Sequence, residues 1–176
     1  MSHIIRGKAY VGDEVKAVVL RDGQEVTISG KLEQGGLLVG MAPAGAQIIA
    51  DERVPHEQGA LGAAIKKYRD TCDLMIVFGA SAITDRRDVI PAALVEAGGV
   101  VEQFGMPVDP GNLLLIGTIA GKSFLGAPGC ARSPKENGFD WVLQRMLADI
   151  PVSAADIRHM GSGGLLMEIV SRPQPR

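Results

Sequence analysis

Residues 73–80, DLMIVFGA, are an unbroken apolar run ending in glycine, and no other feature restricts the fold as much. The run suits a strand buried on both faces by helices better than an alternating strand with one wet face. The flanking sequence supplies the helices. Before the run, 57–68 puts Leu61, Ala64, Ile65 and Tyr68 on one helical face, with Lys66, Lys67 and Arg69 near the C-terminal end, where the helix dipole favours cations. After it, 88–97 repeats the pattern, with Pro91 in a first turn and Gly98-Gly99 as the stop. Further strands are expected at 100–104, 112–117 and 122–125. A closing amphipathic helix at 137–149 carries Phe139, Val142, Leu143, Met146 and Leu147 on its apolar side. Strands alternating with helices predict an α/β fold, a three-layer, mostly parallel, doubly wound sheet. In such sheets ligands sit beyond the carboxyl ends of the strands, where helix starts favour anions.

The ends of the chain carry weaker patterns. Residues 15–20 and 47–50 read as strands, and 30–46 between them is a helix candidate weakened by five glycines and one proline. Residues 158–176 lose helical periodicity and finish in RPQPR, as a linker or frayed terminus does. The expected division is one α/β domain over 1–150 and a C-terminal extension or linker over 151–176, consistent with a length of 176 residues.

Composition removes several classes of function. The chain is 46% hydrophobic but only 4% aromatic, so aliphatic side chains build the core and aromatic stacking of single-stranded nucleic acid is not expected. A net charge of −2 without any dense Lys/Arg run gives no field for a nucleic-acid backbone. The N-terminus has no apolar segment before a small-residue cleavage site, and no run of about 18 apolar residues occurs, which points to a cytoplasmic protein without a membrane span. Cys72 and Cys130 are too few for a disulfide framework and are expected as reduced thiols. His3, His56 and His159 form no zinc spacing, and the P-loop, nucleophile-elbow and dinucleotide fingerprints are missing.

Two small-residue loops carry the candidate chemistry. The first, 79–88 (GASAITDRRD), follows the central strand and opens a helix: Gly79, Ala80 and Ala82 let a ligand approach the backbone, and Ser81 and Thr84 offer hydroxyls. Asp85 and Asp88, three apart, are candidate catalytic carboxylates and candidate ligands for Mg²⁺ beside a phosphate. The ordinary alternative is a solvated charge run in which Asp88 is the N-cap. The second loop, 126–133 (GAPGCARS), lies again between a strand and a helix and contributes Pro128, Gly129, Cys130 and Ser133. Cys130 is either a buried small hydrophobe or, if exposed at a helix start, a thiol of lowered pKa. His56, followed by Glu57, is either an acid, base or ligand or a surface residue at a helix start.

Taken together, DLMIVFGASAITDRRDVIPAAL (73–94), Pro110-Gly111-Asn112 and GAPGCARS resemble the molybdopterin-binding domain shared by molybdopterin adenylyltransferases and molybdenum insertases. That family's strand-end loop reads approximately G-G-x-[SG]-x-x-x-x-D followed by V-x-P, matched here by Gly79, Asp88, Val89 and Pro91. Its P-G-K and L-P-G-N-P elements are similar to 110–112 and 127–131. The resemblance covers 45–150 and closely fits a subgroup in which the domain precedes a nucleotidyltransferase domain. It implies a domain that holds molybdopterin or its nucleotide form during molybdenum-cofactor biosynthesis. The phosphate would lie on N–H groups of 79–84, Mg²⁺ or molybdate on Asp85 and Asp88, and the pterin against 128–133. It further implies adenylyl transfer or metal insertion as activities, a nucleotidyltransferase or molybdoenzyme as partner, and a homo-oligomer. Departures are specific: Ala80 replaces the second glycine, the loop is one residue longer, His56 stands where adenylyltransferases carry an acidic residue, and Cys130 and Ala131 replace Asn and Pro. Which of Asp85 and Asp88 takes the family's acidic role stays open, and so do two alternatives, a non-catalytic cofactor-delivery module and an unrelated scaffolding domain.

Overall fold

A computed structural model describes residues 14–22, 46–132 and 137–161. Six strands form one sheet: β1 (Glu14–Asp22), β2 (Ala46–Pro55), β3 (Leu74–Phe78), β4 (Val100–Phe104), β5 (Leu115–Ile119) and β6 (Lys122–Ala127), in the order β2-β1-β3-β6-β5-β4. The helices are α1 (Gln58–Tyr68), α2 (Val89–Glu96), α3 (Gly138–Leu147) and α4 (Ala154–His159), with a 3₁₀ turn at Gly129–Arg132. The α/β class is as expected. The helix candidate at 30–46 falls outside the described residues except for Ala46, which opens β2, and His3, Ser133 and 162–176 lie outside them as well.

The sheet is mixed rather than mostly parallel. Among the described strands β3 and β6 pair in parallel, while β1–β2, β1–β3, β4–β5 and β5–β6 are antiparallel. The reason lies in the connections. A parallel neighbour needs a crossover of a dozen residues or more, and β5 passes to β6 through Ala120-Gly121 alone, both with positive φ (49° and 75°). Only the long excursion from β3 through α2, β4 and β5 returns the chain to β3's side in the same direction.

Successive side chains of β3 point to opposite faces, and both faces are covered. Leu74, Ile76 and Phe78 share a cluster with Phe139, Val142 and Leu143 of α3 and Ile157 of α4. Met75 and Val77 pack with Leu61 and Ile65 of α1 and Ile90, Ala93 and Leu94 of α2. Burial of each large aliphatic or aromatic side chain contributes about 1.5–3 kcal/mol. The Phe78 and Phe139 rings lie 6.1 Å apart at a tilt of 57°, tying β3 to α3 directly.

Local signals set the starts of α3 and α4. Asn137 Oδ1 accepts from the N–H of Phe139 at 2.9 Å while Asp140 Oδ2 accepts from the N–H of Asn137 at 2.8 Å, a capping box at the head of α3. Ser153 and Asp156 repeat it for α4. That helix lies where only an extension or linker is expected, and its Ile157 is fully buried in the domain core. Strand β5 starts three residues later than its apolar run suggests. The N–H of Leu114 bonds the carbonyl of Gly111 at 3.0 Å and the N–H of Met106 bonds that of Asn112 at 3.0 Å, so 111–114 is a turn. No helix among the described residues is long and apolar enough to cross a membrane.

Candidate functional site

Register brings the motif-bearing segments to one edge of the sheet. Phe78 and Ala127, last residues of the parallel pair, lie side by side, so the loops at 79–88 and 128–132 leave the sheet together. Pro55 pairs with Glu14 near where Lys16 pairs with Phe78, which puts His56 on the same edge. Phe104 pairs with Leu115 and Leu115 with Gly126, so the segment between β4 and β5, with Pro110-Gly111-Asn112, emerges there too. The two loops touch. The Arg132 guanidinium donates to the carbonyl of Gly79, and a Cβ on Gly129 would stand 3.9 Å from Cβ of Ala82.

In the first loop Ala80 and Ile83 are buried, Ala82 is half-buried, and Ser81, Thr84, Asp85, Arg86 and Arg87 are exposed. Gly79 is required by space: a Cβ there would lie 2.7 Å from the Ser81 carbonyl oxygen. Asp88 stands at the N-cap position of α2, yet its side chain makes no bond to the helix. It folds back instead. Its Oδ2 accepts from the N–H of Thr84, from the Thr84 hydroxyl at 3.0 Å and from the N–H of Asp85 at 3.2 Å. Asp85 Oδ1 accepts from the N–H of Arg87. Partial burial opposes ionisation of Asp88, but the Thr84 and Asp85 donors and the charge of His56 outweigh it and hold the pKa below 3.8. His56 is half-buried, with Cε1 3.8 Å from where a Cβ on Gly79 would stand. His56 is thus neither fully exposed nor buried, and it lies beside the first loop.

These contacts bear on Mg²⁺. The ion takes oxygen ligands in near-octahedral array, whereas Asp88 Oδ2 is taken up by three donors with His56 nearby, and Asp85 Oδ1 by a backbone N–H. Among the described residues no three His, Cys, Asp or Glu side chains converge as metal ligands. One oxygen of each carboxylate thus shapes its own loop.

The second loop begins inside β6, which includes Gly126 and Ala127, and its Pro128 is buried. Gly129 is exposed, and the 3₁₀ turn is closed by the N–H of Ala131 on the carbonyl of Pro128 at 2.9 Å. Cys130 is half-buried; its carbonyl accepts from Asn137 Nδ2 at 3.4 Å. Burial raises the pKa of its thiol, a push only partly offset by the N–H of Gly111 and by its own N–H. The structure therefore sides with the packed thiol against the activated one. Gly111, at φ +124°, abuts α3: a Cβ would come 2.9 Å from the nitrogen of Gly138, whose N–H donates to the carbonyl of Pro110 at 2.9 Å. The Pro110-Gly111-Asn112 segment thus abuts the head of α3.

Arg132 is the residue that motif reading passes over. Its signal is a position five residues beyond the end of β6, where a long donor reaches the neighbouring parallel strand's loop. No protein-family model, no curated protein and no solved structure matches this chain.

Proposed function

We propose that this domain binds molybdopterin or its nucleotide form during molybdenum-cofactor biosynthesis, with the phosphate end at 79–84 and the pterin end against 128–132. One observation carries the reading. The two segments bearing the family resemblance, far apart in sequence, are joined through Arg132 and Gly79 at the carboxyl ends of adjacent parallel strands. In doubly wound sheets ligands lie beyond the carboxyl ends of parallel strands, and β3 and β6 are such a pair. Helices on both faces of the sheet agree with the three-layer architecture the resemblance implies.

Holding and delivery is favoured over turnover. Adenylyl transfer or metal insertion needs a carboxylate that can meet a metal or a moving proton, and one oxygen of each of Asp85 and Asp88 is engaged by its own loop. A nucleotidyltransferase domain or a molybdoenzyme would receive the cofactor. Native mass spectrometry after expression in a host that makes the cofactor tests this directly, since it reads ligand mass and subunit number together. The expected result is an adduct with the mass of molybdopterin or its nucleotide and no ATP hydrolysis by the purified chain. A chain that never carries a pterin, whether as isolated or after titration with one, overturns the reading.

A further inference from the structure

We infer that Asn137 is a positioning residue: its side-chain amide sets the second loop, and with it the pterin side of the proposed site, on the head of α3. The inference rests on the reading that 128–132 face the pterin end, and it names what holds them there.

The described residues hold two capping boxes, and the difference between them points to a second task for one. At α4 the box is Ser153 with Asp156, and Ser153 is exposed. At α3 it is Asn137 with Asp140, and Asn137 is 2% exposed, the one fully buried polar residue among those described. Serine and asparagine cap about equally well, so capping alone gives no reason to bury a carboxamide. What asparagine adds is an NH₂ group beside the capping oxygen. Asn137 Oδ1 accepts from the N–H of Phe139 at 2.9 Å, while Nδ2 donates to the carbonyl of Cys130 at 3.4 Å, inside the 3₁₀ turn of the second loop. One side chain thus spans the helix head and the loop. The platform is itself fixed. Phe139, fully buried, lies against Phe78, the residue before Gly79, and the N–H of Gly138 bonds the carbonyl of Pro110 at 2.9 Å. The N–H of Gly111 reaches the Cys130 thiol from the same side. The head of α3 therefore ties the second loop to the strand end from which the first loop leaves.

The test compares the wild type with Asn137→Ser, which rebuilds at α3 the box that α4 already uses but is too short to reach Cys130. Iodoacetamide labelling reads the loop, with Cys72 as internal reference, and native mass spectrometry after expression in a cofactor-making host reads the pterin load. Cys130 of the variant should label about threefold faster or more while Cys72 stays protected, and the share of chains carrying a pterin should fall by about the same factor. Amide exchange of the wild type needs no variant: the N–H of Ala131, which closes the turn, should exchange about as slowly as the N–H of Phe139. Unchanged labelling, an unchanged pterin load, or an Ala131 N–H that exchanges as fast as an open loop overturns the inference and leaves the pterin-binding reading standing. A wild type that never carries a pterin removes that reading, and the site role given to Asn137 with it.

Discussion

Arg132 and Gly79, 53 residues apart in sequence, are joined by a hydrogen bond from guanidinium Nη2 to the backbone carbonyl oxygen. Because the peptide unit is planar and trans, fixing that carbonyl also fixes the direction of the Ala80 N–H. The contact thus orients the first donor of one loop while anchoring the other. Replacing Arg132 by Met keeps most of the apolar stem and removes the bond. A hydrogen bond to a charged group contributes about 1.5–3 kcal/mol, and partial exposure puts this one at the low end. The expected fall in thermal midpoint is about 3–6 °C by calorimetry. An unchanged midpoint would mean the two loops hold together without it.

Asp88 makes the first loop's stability depend on pH. Its folded pKa lies below the ordinary 3.8, so its ionised contribution is complete above 3.8 and is lost as pH falls through the folded value. Asp88→Asn removes the charge but keeps an acceptor, and should cost about 1 kcal/mol at neutral pH. Urea melts at a series of pH values should give wild-type and variant curves that are separate at pH 7 and converge only below 3.8. Curves that coincide throughout would return Asp88 to the part of a solvated side chain.

Much of this architecture is legible in the sequence, and the misread part has a physical cause. The apolar run at 74–78, the face formed by Leu61 and Ile65 and the Asn137 cap all act locally, so pattern alone locates β3, α1 and α3. Strand direction is decided by connections instead. The sequence places no helix between the strands at 100–104, 112–117 and 122–125, and Ala120-Gly121 is too short for a crossover, so antiparallel pairing of β4, β5 and β6 is implicit there. The α4 helix also has a readable start in Ser153 and Asp156, obscured by its six-residue length. The inward turn of Asp88 and the reach of Arg132 have no sequence signature, because each depends on where a distant or folded-back backbone group lies.

The turn between β5 and β6 offers a stabilising change. Ala120 holds φ 49° ahead of Gly121 at 75°, a left-handed pair that Asn-Gly adopts with less strain than Ala-Gly. Ala120→Asn should raise stability by about 0.5–1 kcal/mol without touching either loop of the site. Chemical denaturation reads the gain as a higher midpoint at an unchanged slope. A lower midpoint would mean that the introduced amide meets a contact the Ala120 methyl avoids.

The two thiols should separate by rate, not by ligand. Cys72 is 1% exposed, and burial, aided by the charge of Asp73, pushes its pKa up to about 11. At pH 7 a thiol of that pKa is ionised to about one part in ten thousand, and the reagent must also reach it. Cys130 is half-buried and is likewise pushed up by burial, with the N–H of Gly111 pulling the other way. Iodoacetamide at neutral pH should therefore label Cys130 slowly and Cys72 only after unfolding, and raising the pH should speed Cys130 first. A thiol held by the N–H of Gly111 is also expected to react at about the same rate with and without pyrophosphate, because the proposed phosphate end lies at 79–84. Peptide mapping of alkylated protein decides the matter: rapid labelling of Cys130 at pH 7 that pyrophosphate suppresses would make the thiol part of the anion site and remove the packed role assigned to it.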